Sequence, residues 1–465
     1  MMKNKGEGSI FLKTRGRFSF FGKGDKGDSH KKRDSHLCQK KRTVPLILLF
    51  LSLMAIAGYA EEITLSFSEA VAIGLRDNRD ILLKTQDVEK AKLIISEAQA
   101  GIFPTLTYTG DWFYTIGLYT KDMGEHTTQI SLRQYLYRGG KVINNIKYSD
   151  YKLEVTQSLL DKAKLGLIFD FSRAYYTLLL SNSFVGLNKT ILDNSRQHLD
   201  YINALYKNGQ ASESDILKAR ASLSSVAQAD EASKAQQEAA RALLNNLLFL
   251  DKDVLIVPST EFKFTPKAIA FDQGFLKAMQ ARPEIKQFQA QIKADKSAIE
   301  VERAQGRPDI YLSWDYYART HGAPTTTVNT RNWNDYNVAG ITLSWPIFDG
   351  WKTKALVEQA IVDLKQTQLG KTKLLGDIAL EVKDAYLSLK NAIEQIKTSQ
   401  ADILLYKNNF STAKDRYAQG LVSLLDYNDA QLKYAVSVFN QQQAVYDYTI
   451  AKFNFDKATG GFNEL

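Results

Sequence analysis

Apolar residues recur at every seventh position along two stretches of the chain. The first reads Phe171, Leu178, Val185, Leu192, Leu199, Tyr206, and the second Val382, Leu389, Ile396, Ile403, Phe410, Tyr417. Each rung of one lies 211 residues from a rung of the other. A seven-residue spacing keeps one stripe of a helix against a partner helix, as in a coiled coil. The spacing therefore predicts two similar units dominated by very long helices. The first long helix runs from about Lys141 to Lys207 and would reach ~100 Å at 1.5 Å per residue. Asn208-Gly209 breaks it, and a helix returns from about Ser212 to Leu250. In the second unit a long helix ends near Tyr417, Gln419-Gly420 turns the chain, and a final helix ends near Thr459-Gly460-Gly461.

Ahead of each long helix the period changes. A helix is predicted from about Ser66 to Gly101, with Ala70, Ile73, Ile81, Val88, Ile95 and Ala98 apolar, and Pro104 stops it. Strict alternation follows. Leu106, Tyr108, Trp112, Tyr114, Ile116 and Leu118 fall on one side, and Thr105, Thr107, Thr109, Asp111 and Thr115 on the other. A polar stretch around Lys121 to His126 is expected to turn the chain. Ile130, Leu132 and Leu136 then alternate with Gln129, Ser131 and Arg133. The second unit repeats this order: a helix from about Phe271 to Gln305, Pro308, a strand with Ile310, Leu312, Trp314 and Tyr316 opposite Asp309, Ser313 and Asp315, a loop from about Ala318 to Trp333, and a strand with Ile341, Leu343 and Trp345. Such alternation gives each strand an apolar and a polar face. Aromatic residues crowd the apolar face, as they do at the rims of a membrane barrel. The offset between units is 204 residues at Pro104/Pro308 but 211 from Leu132/Leu343 onward, so the second hairpin is longer in its loop.

The chain holds 60 Lys+Arg against 51 Asp+Glu. Thirteen of the basic and four of the acidic residues lie in 1–60, which leaves 47 of each in 61–465. The basic excess belongs to the leader, so a nucleic-acid role loses its support. Within the leader, Lys40-Lys41-Arg42 precede the apolar run Leu46 to Ala57, and Gly58-Tyr59-Ala60 offers a small-x-small cleavage site. That pattern predicts a secretory signal peptide, the alternative being an uncleaved anchor. Cys38, the one cysteine, lies upstream of the apolar run, away from any lipoprotein cleavage position. The domain organisation expected is a leader over 1–60, a first repeat over 61–250 with its strand pair at 104–138, a linker over 251–266 carrying the β-favouring Val254 to Val257, and a second repeat over 267–461 with its strand pair at 308–348.

Four amphipathic strands cannot close a barrel, and their free edges would leave backbone groups unpaired in lipid at several kcal/mol each. Long helical hairpins without a globular core also need lateral partners. Both demands point to a ring of identical subunits whose polar strand faces line water.

The duplicated helix–Pro–strand–strand–helix–turn–helix order carries three further marks. They are the segment Trp345-Pro346-Ile347-Phe348-Asp349-Gly350 and two related turns, Tyr206-Lys207-Asn208-Gly209 with Asp215 and Tyr417-Ala418-Gln419-Gly420 with Asp426. With these the chain resembles the outer-membrane efflux (TolC) family over about Ile63 to Gly460. The resemblance implies a mainly α fold with a small β part: a homotrimer whose twelve strands form one β-barrel in the outer membrane and whose helices continue it as an α-helical barrel through the periplasm. It implies a passive duct for drugs, metals or secreted polypeptide, as in efflux or type I secretion, joined to a periplasmic adaptor protein and an inner-membrane transporter. Carried over by position, Tyr417 would bond Asp215 at a closed aperture, and Asp426 and Asp429 would form acidic rings at the pore constriction. The turns at Gly209, Gly420, Leu421 and Val422 would dock the adaptor. Val422 stands where other members have an arginine, and the nearby cations Arg416 and Lys207 are not at the matching position.

Several of these residues also have a plainer reading. One carboxylate of the Asp426/Asp429 pair is explained by the positive end of a helix dipole, and Tyr206 and Tyr417 are heptad rungs that pack. Trp112, Trp314 and Trp345 are expected in a lipid belt. No catalytic residues, metal ligands or cofactors are expected: His126, His198 and His321 are scattered, and no nucleotide-binding or nucleophile motif occurs. The energy for transport must then come from a partner. The alternatives are a periplasmic coiled-coil adaptor or an envelope spacer without a pore, neither of which needs aromatic hairpins between its helices.

Overall fold

A computed structural model describes residues 62–118, 121–250, 254–260, 264, 270–322 and 334–462. The leader with its expected signal peptide and Cys38 lies outside the described residues, as does 323–333 of the expected second hairpin loop. The first unit contains β1 (Glu62–Leu65), α1 (Phe67–Asp77), α2 (Arg79–Ala100), β2 (Thr105–Leu118), β3 (Lys121–Arg138), α3 (Lys141–Lys207) and α4 (Glu213–Leu248). The second repeats the order as β4 (Leu255–Pro258), α5 (Phe271–Ala281), α6 (Pro283–Ala304), β5 (Asp309–Gly322), β6 (Asn334–Ser344), α7 (Lys352–Ala418) and α8 (Leu424–Ala458). Both long helices have 67 residues.

Three local features differ from the expectation. The single helices predicted over 66–101 and 271–305 are each split. Asn78 ends α1 and caps α2, its side chain accepting from the amides of Asp80 at 2.9 Å and Ile81 at 3.3 Å. In the second unit Pro283 does the same work by lacking an N–H, and it sits in the first turn of α6. Apolar periodicity runs through both breaks, which is why it hides them. Next, Lys121 to His126 belong to β3 rather than to a turn, with Lys121 already paired to Leu118. Likewise β5 continues past Ala318 to Gly322. Lastly, β1 was not anticipated. It pairs in parallel with β4, Glu62 opposite Leu255 through Leu65 opposite Pro258, using the β-favouring run of the linker. Four-residue strands carry too little pattern to be read alone.

The tightest packing lies near the midpoint of the long helices. In the first unit Phe171, Tyr175 and Leu178 of α3 are fully buried with Ala70 and Val71 of α1, Leu244 of α4 and Ile256 of β4. The Tyr175 hydroxyl ties the small sheet to this core: it lies 2.9 Å from the Leu65 carbonyl oxygen and 2.9 Å from the Thr260 hydroxyl, and accepts from the Thr260 amide at 3.3 Å. In the second unit Ile378, Val382, Leu389 and Ile396 of α7 play the same part with Tyr448 and Phe455 of α8. Below each core the heptad ladder opens gradually. Val185 and Leu199 are half-buried and Tyr206 is 46% exposed; Ile403 and Phe410 are half-buried and Tyr417 is 40% exposed.

The four long strands form one antiparallel sheet in the order β2-β3-β5-β6, with the central β3–β5 pairing joining the two units. β2 and β6 are its edges.

Gly74 shows how closely α1 approaches the core. A Cβ there would sit 2.1 Å from Cε2 of the fully buried Phe171. Gly74→Ala would otherwise favour the helix by up to ~1 kcal/mol. Overpacking should dominate and leave the protein about 1–3 kcal/mol less stable. Denaturant unfolding followed by circular dichroism in detergent checks the sign; a neutral or stabilised variant would contradict this packing.

Candidate functional site: a one-sided sheet and two helical tips

The register aligns like faces across all four strands. One side carries the rows Leu106–Leu132–Trp314–Ala339 and Tyr108–Ile130–Tyr316–Asn337, with Trp112, His126 and Thr320 farther along. The opposite side carries Thr105–Arg133–Ser313–Gly340, Thr107–Ser131–Asp315–Val338 and Asp111–Thr127–Arg319–Asn334. This polar side is cross-linked between the units. Gln129 donates to Asp315 and to the Tyr317 hydroxyl, each at 3.0 Å, the Ser131 hydroxyl bonds Asp315, and Arg319 pairs with Glu125 at 3.1 Å. On β6 the alternation weakens, with Tyr336 and Val338 on the polar side; Tyr336 stacks on Tyr317 there.

The apolar side is open. Leu106, Trp112, Ile116 and Ile341 are each 70–75% exposed in the single chain. Trp112 stacks on His126 at 5.1 Å, near the far end of the sheet. Trp345 follows the last residue of β6 at the near end, its indole N–H donating to the Gly306 carbonyl at 3.3 Å. The two lie about twelve residues apart along the strands, roughly 40 Å, or about 30 Å of depth at the usual strand tilt. That matches a hydrocarbon layer. Trp314 lies between these levels and is 39% exposed.

Sequence reasoning missed Trp351. It holds φ +67° where its counterpart in the first unit is Gly140 at φ +86°. A tryptophan in the left-handed region is strained. It packs edge-on against Phe348 at 6.0 Å and is 68% exposed, extending the apolar rim of Trp345, Ile347 and Phe348. The mismatch between aligned repeats, Trp against Gly, was the available signal.

The two helical tips share one construction. Gly209 (φ +72°) and Gly420 (φ +71°) take the left-handed conformation that ends each long helix. The amides of Gln210 and Leu421 close the turns on the carbonyls of Leu205 and Arg416, both at 2.9 Å. Ser212 and Ser423 then cap the returning helices, each in a capping box with Asp215 or Asp426. The Asp215 carboxylate accepts from the Ser212 hydroxyl at 2.7 Å and amide at 3.0 Å; Asp426 does so from Ser423 at 2.7 and 3.3 Å. Asp429 pairs instead with Lys433 at 2.8 Å, and the Asp429 carboxylate pushes the Lys433 pKa up, first by hydrogen bonding.

Tyr417 stacks on Tyr427 at 5.1 Å, and Phe410 lies 5.7 Å from both Tyr427 and Tyr434, so aromatic rings staple the second tip. Within one chain no hydrogen bond joins Tyr417 to Asp215 among the described residues. Leu421 is 69% exposed at the end of the second tip, with Val422 half-buried beside it. Arg416 and Lys207 are exposed at the ends of α7 and α3. No cluster of side chains suited to a metal occurs among the described residues, and no described helix is long and apolar enough to cross a membrane.

Hydrogen bonds from the Ser212 side chain and backbone hold the Asp215 carboxyl below its ordinary value. Its contribution to the cap is therefore complete above about pH 4, the unfolded carboxylate range, and is lost as pH falls through the lowered folded value. Amide exchange at residues 212–216, corrected for intrinsic rates, should stay flat from neutral pH to about pH 5 and rise in more acid solution. Asp215→Asn should remove that acid step. An acid step unchanged in Asp215→Asn would assign it to another group.

The outer membrane efflux protein family model matches residues 74–248 and 276–461, covering both repeats. The probable outer membrane lipoprotein SilC of Salmonella typhimurium is 23% identical over 407 residues, 85% of each chain. The toluene efflux pump outer membrane protein TtgI of Pseudomonas putida is 23% identical over 406 residues, 83% of each chain. Among solved structures, the CmeC outer membrane channel of Campylobacter jejuni superimposes with a TM-score of 0.71 at 18% identity, covering 85% of both chains. With a family match spanning both repeats and a shared fold, the chain belongs to the outer membrane efflux protein family.

Proposed function

We propose that the protein is a passive exit duct: a homotrimer that conducts substrates from an inner-membrane transporter, through a periplasmic adaptor junction, across the outer membrane. The observation that carries this reading is the sheet, which has one exposed apolar face, one polar face and two free edges, joined to helices ~100 Å long. Three copies supply twelve strands, enough to close a barrel with a wet interior. Trp112 and Trp345 with Trp351 form its two aromatic rims, and Trp314 faces lipid between them.

At the opposite end the tips converge on the axis. Gly209, Gly420, Leu421 and Val422 present the adaptor-docking turns, the exposed Leu421 being the apolar contact. Tyr417, Asp215, Asp426 and Asp429 line the constriction. Asp215 and Asp426 both also complete the capping boxes of their helices. Asp429, one turn along α8, is the freer ring carboxylate, tempered by Lys433. With no arginine at position 422, closure rests on the aromatic staple and on contacts between copies. Transport energy comes from the partner pump, and the tunnel wall leaves cargo choice to that pump. TtgI is by name an efflux-pump outer membrane protein, which favours efflux over polypeptide secretion.

Purified protein in planar bilayers should form long-lived channels blocked by multivalent cations. Asp429→Asn should weaken that block roughly ten-fold, the lower end of the counter-ion enrichment that single-sign clefts produce. Lack of any conductance, even in the Asp426→Asn/Asp429→Asn variant, would contradict the duct and favour a spacer.

A further inference from the structure

Four tyrosines stand on the polar face of the sheet, where small hydroxyls and amides would suffice to meet water. Tyr135 and Tyr311 form one pair, with ring centres 5.5 Å apart, and Tyr317 and Tyr336 the other, at 5.0 Å. Arginines flank the first pair. The Arg133 guanidinium lies 4.9 Å from the centre of the Tyr311 ring, and that of Arg138 lies 4.2 Å from the centre of Tyr135. Arg133, Tyr311, Tyr135 and Arg138 thus form one ladder across the β3–β5 pairing, with two rings between two cations. It sits at the end of the sheet where β3 gives way to α3.

The cations at the two ends differ. Arg138 lies 4.0 Å from Asp309, and farther along the sheet Arg319 pairs with Glu125. Arg133 is exposed and has no carboxylate within pairing distance among the described residues. The residues directly opposite it carry hydroxyls, Thr105 on β2 and Ser313 on β5. Asp315, two residues farther along β5, accepts from Ser131 and Gln129 instead. Stacking on Tyr311 engages the face of the guanidinium and leaves its in-plane N–H donors free. A free donor fork set among hydroxyls and beside ring surface is the chemistry that recognises a carboxylate carried on an aromatic ring.

Strand pairing does not require the ladder. At the offset of 211 the second-unit counterparts of Arg133, Tyr135 and Arg138 are Ser344, Pro346 and Asp349. At the offset of 204 the first-unit counterparts of Tyr311 and Ser313 are Thr107 and Thr109. The duplicated strands therefore do without either rings or cations at the same level. On an exposed face a cation–π contact also adds little stability. We propose that Arg133, Tyr311 and Tyr135 form a weak subsite for aromatic carboxylates moving along the wet face of the sheet. The carboxylate lies on the Arg133 fork and the Ser313 hydroxyl, and the ring lies against Tyr311 and Tyr135. This rests on the duct reading above and gives the wall a substrate preference of its own, one subsite per chain, beside the choice made by the pump. Weak binding suits a conduit, because a transit site must release what it holds.

Saturation-transfer NMR on the full chain in lipid nanodiscs, with the signal of empty nanodiscs subtracted, tests the subsite with benzoate, benzamide and cyclohexanecarboxylate. Benzoate should bind most tightly, because benzamide lacks the charge and cyclohexanecarboxylate the flat ring. Arg133→Gln should weaken benzoate at least about ten-fold, the loss of one charge-assisted hydrogen bond. Arg133→Lys, which keeps the charge but not the fork, should restore only part of it. Tyr311→Leu should bring benzoate down to the level of cyclohexanecarboxylate. Equal binding of benzoate and cyclohexanecarboxylate, or benzoate binding unchanged in Arg133→Gln, overturns the subsite. The first comparison uses the unaltered protein, so it decides the matter even where a variant does not fold. Planar-bilayer conductance of the same preparation separates the two readings. A conducting channel without a ring-dependent benzoate signal loses the subsite and keeps the duct. A preparation that never conducts loses the duct and, with it, the place of this subsite on a transport path.

Discussion

Backbone hydrogen bonding in lipid is the constraint from which this architecture follows. Every amide and carbonyl that enters hydrocarbon must be paired, and a four-stranded sheet leaves two strands half-paired along their length. β2 and β6, 14 and 11 residues long, are those strands. The exposed apolar face demands lipid, and the free edges demand more strands. Since the other described strands, β1 and β4, pair with each other at the waist of the long helices, the same sheet from other copies is the simplest source. In the proposed duct, the ring, its hollow axis and the division between a greasy outside and a wet inside are consequences of that one requirement.

The helices answer a second demand. A 67-residue helix cannot be supported by one partner of ordinary length, so α3 is flanked by α2 over its first half and α4 over its second, and α7 by α6 and α8. The junction between flanking helices is where β1, β4 and the split helices gather, and where Phe171, Tyr175 and Val382 are fully buried. Stability concentrates there and thins toward the tips, where Tyr206 and Tyr417 emerge from the ladder. A soft tip beneath a rigid waist is a reasonable mechanical basis for an aperture, because local opening takes place where apolar contacts are few.

Much of this was legible in the residues because two periods, seven and two, repeat at fixed offsets. The long helices, both hairpin turns and the sidedness of all four strands follow from them. What stayed hidden has local physical causes. Asn78 and Pro283 break helices without breaking the apolar pattern, Lys121 to His126 form a strand despite a turn-like composition, and β1 is too short to have a period. At the candidate site, Asp215 and Asp426 were readable as a matched pair, but their capping-box role depends on Ser212 and Ser423 three residues upstream. The Lys433 partner of Asp429 and the rings around Tyr427 depend on helix geometry that spacing alone does not rank. Trp351 was overlooked because its meaning lies in a backbone conformation its glycine counterpart accepts freely.

The number of chains in the native particle tests the whole scheme most directly. Light scattering of the detergent-solubilised protein, with the detergent mass subtracted, should return three chain masses and no smaller folded species. A single chain that stays folded and monodisperse in water without detergent would contradict it, since an open sheet with one bare apolar face and two bare edges has no means of remaining so.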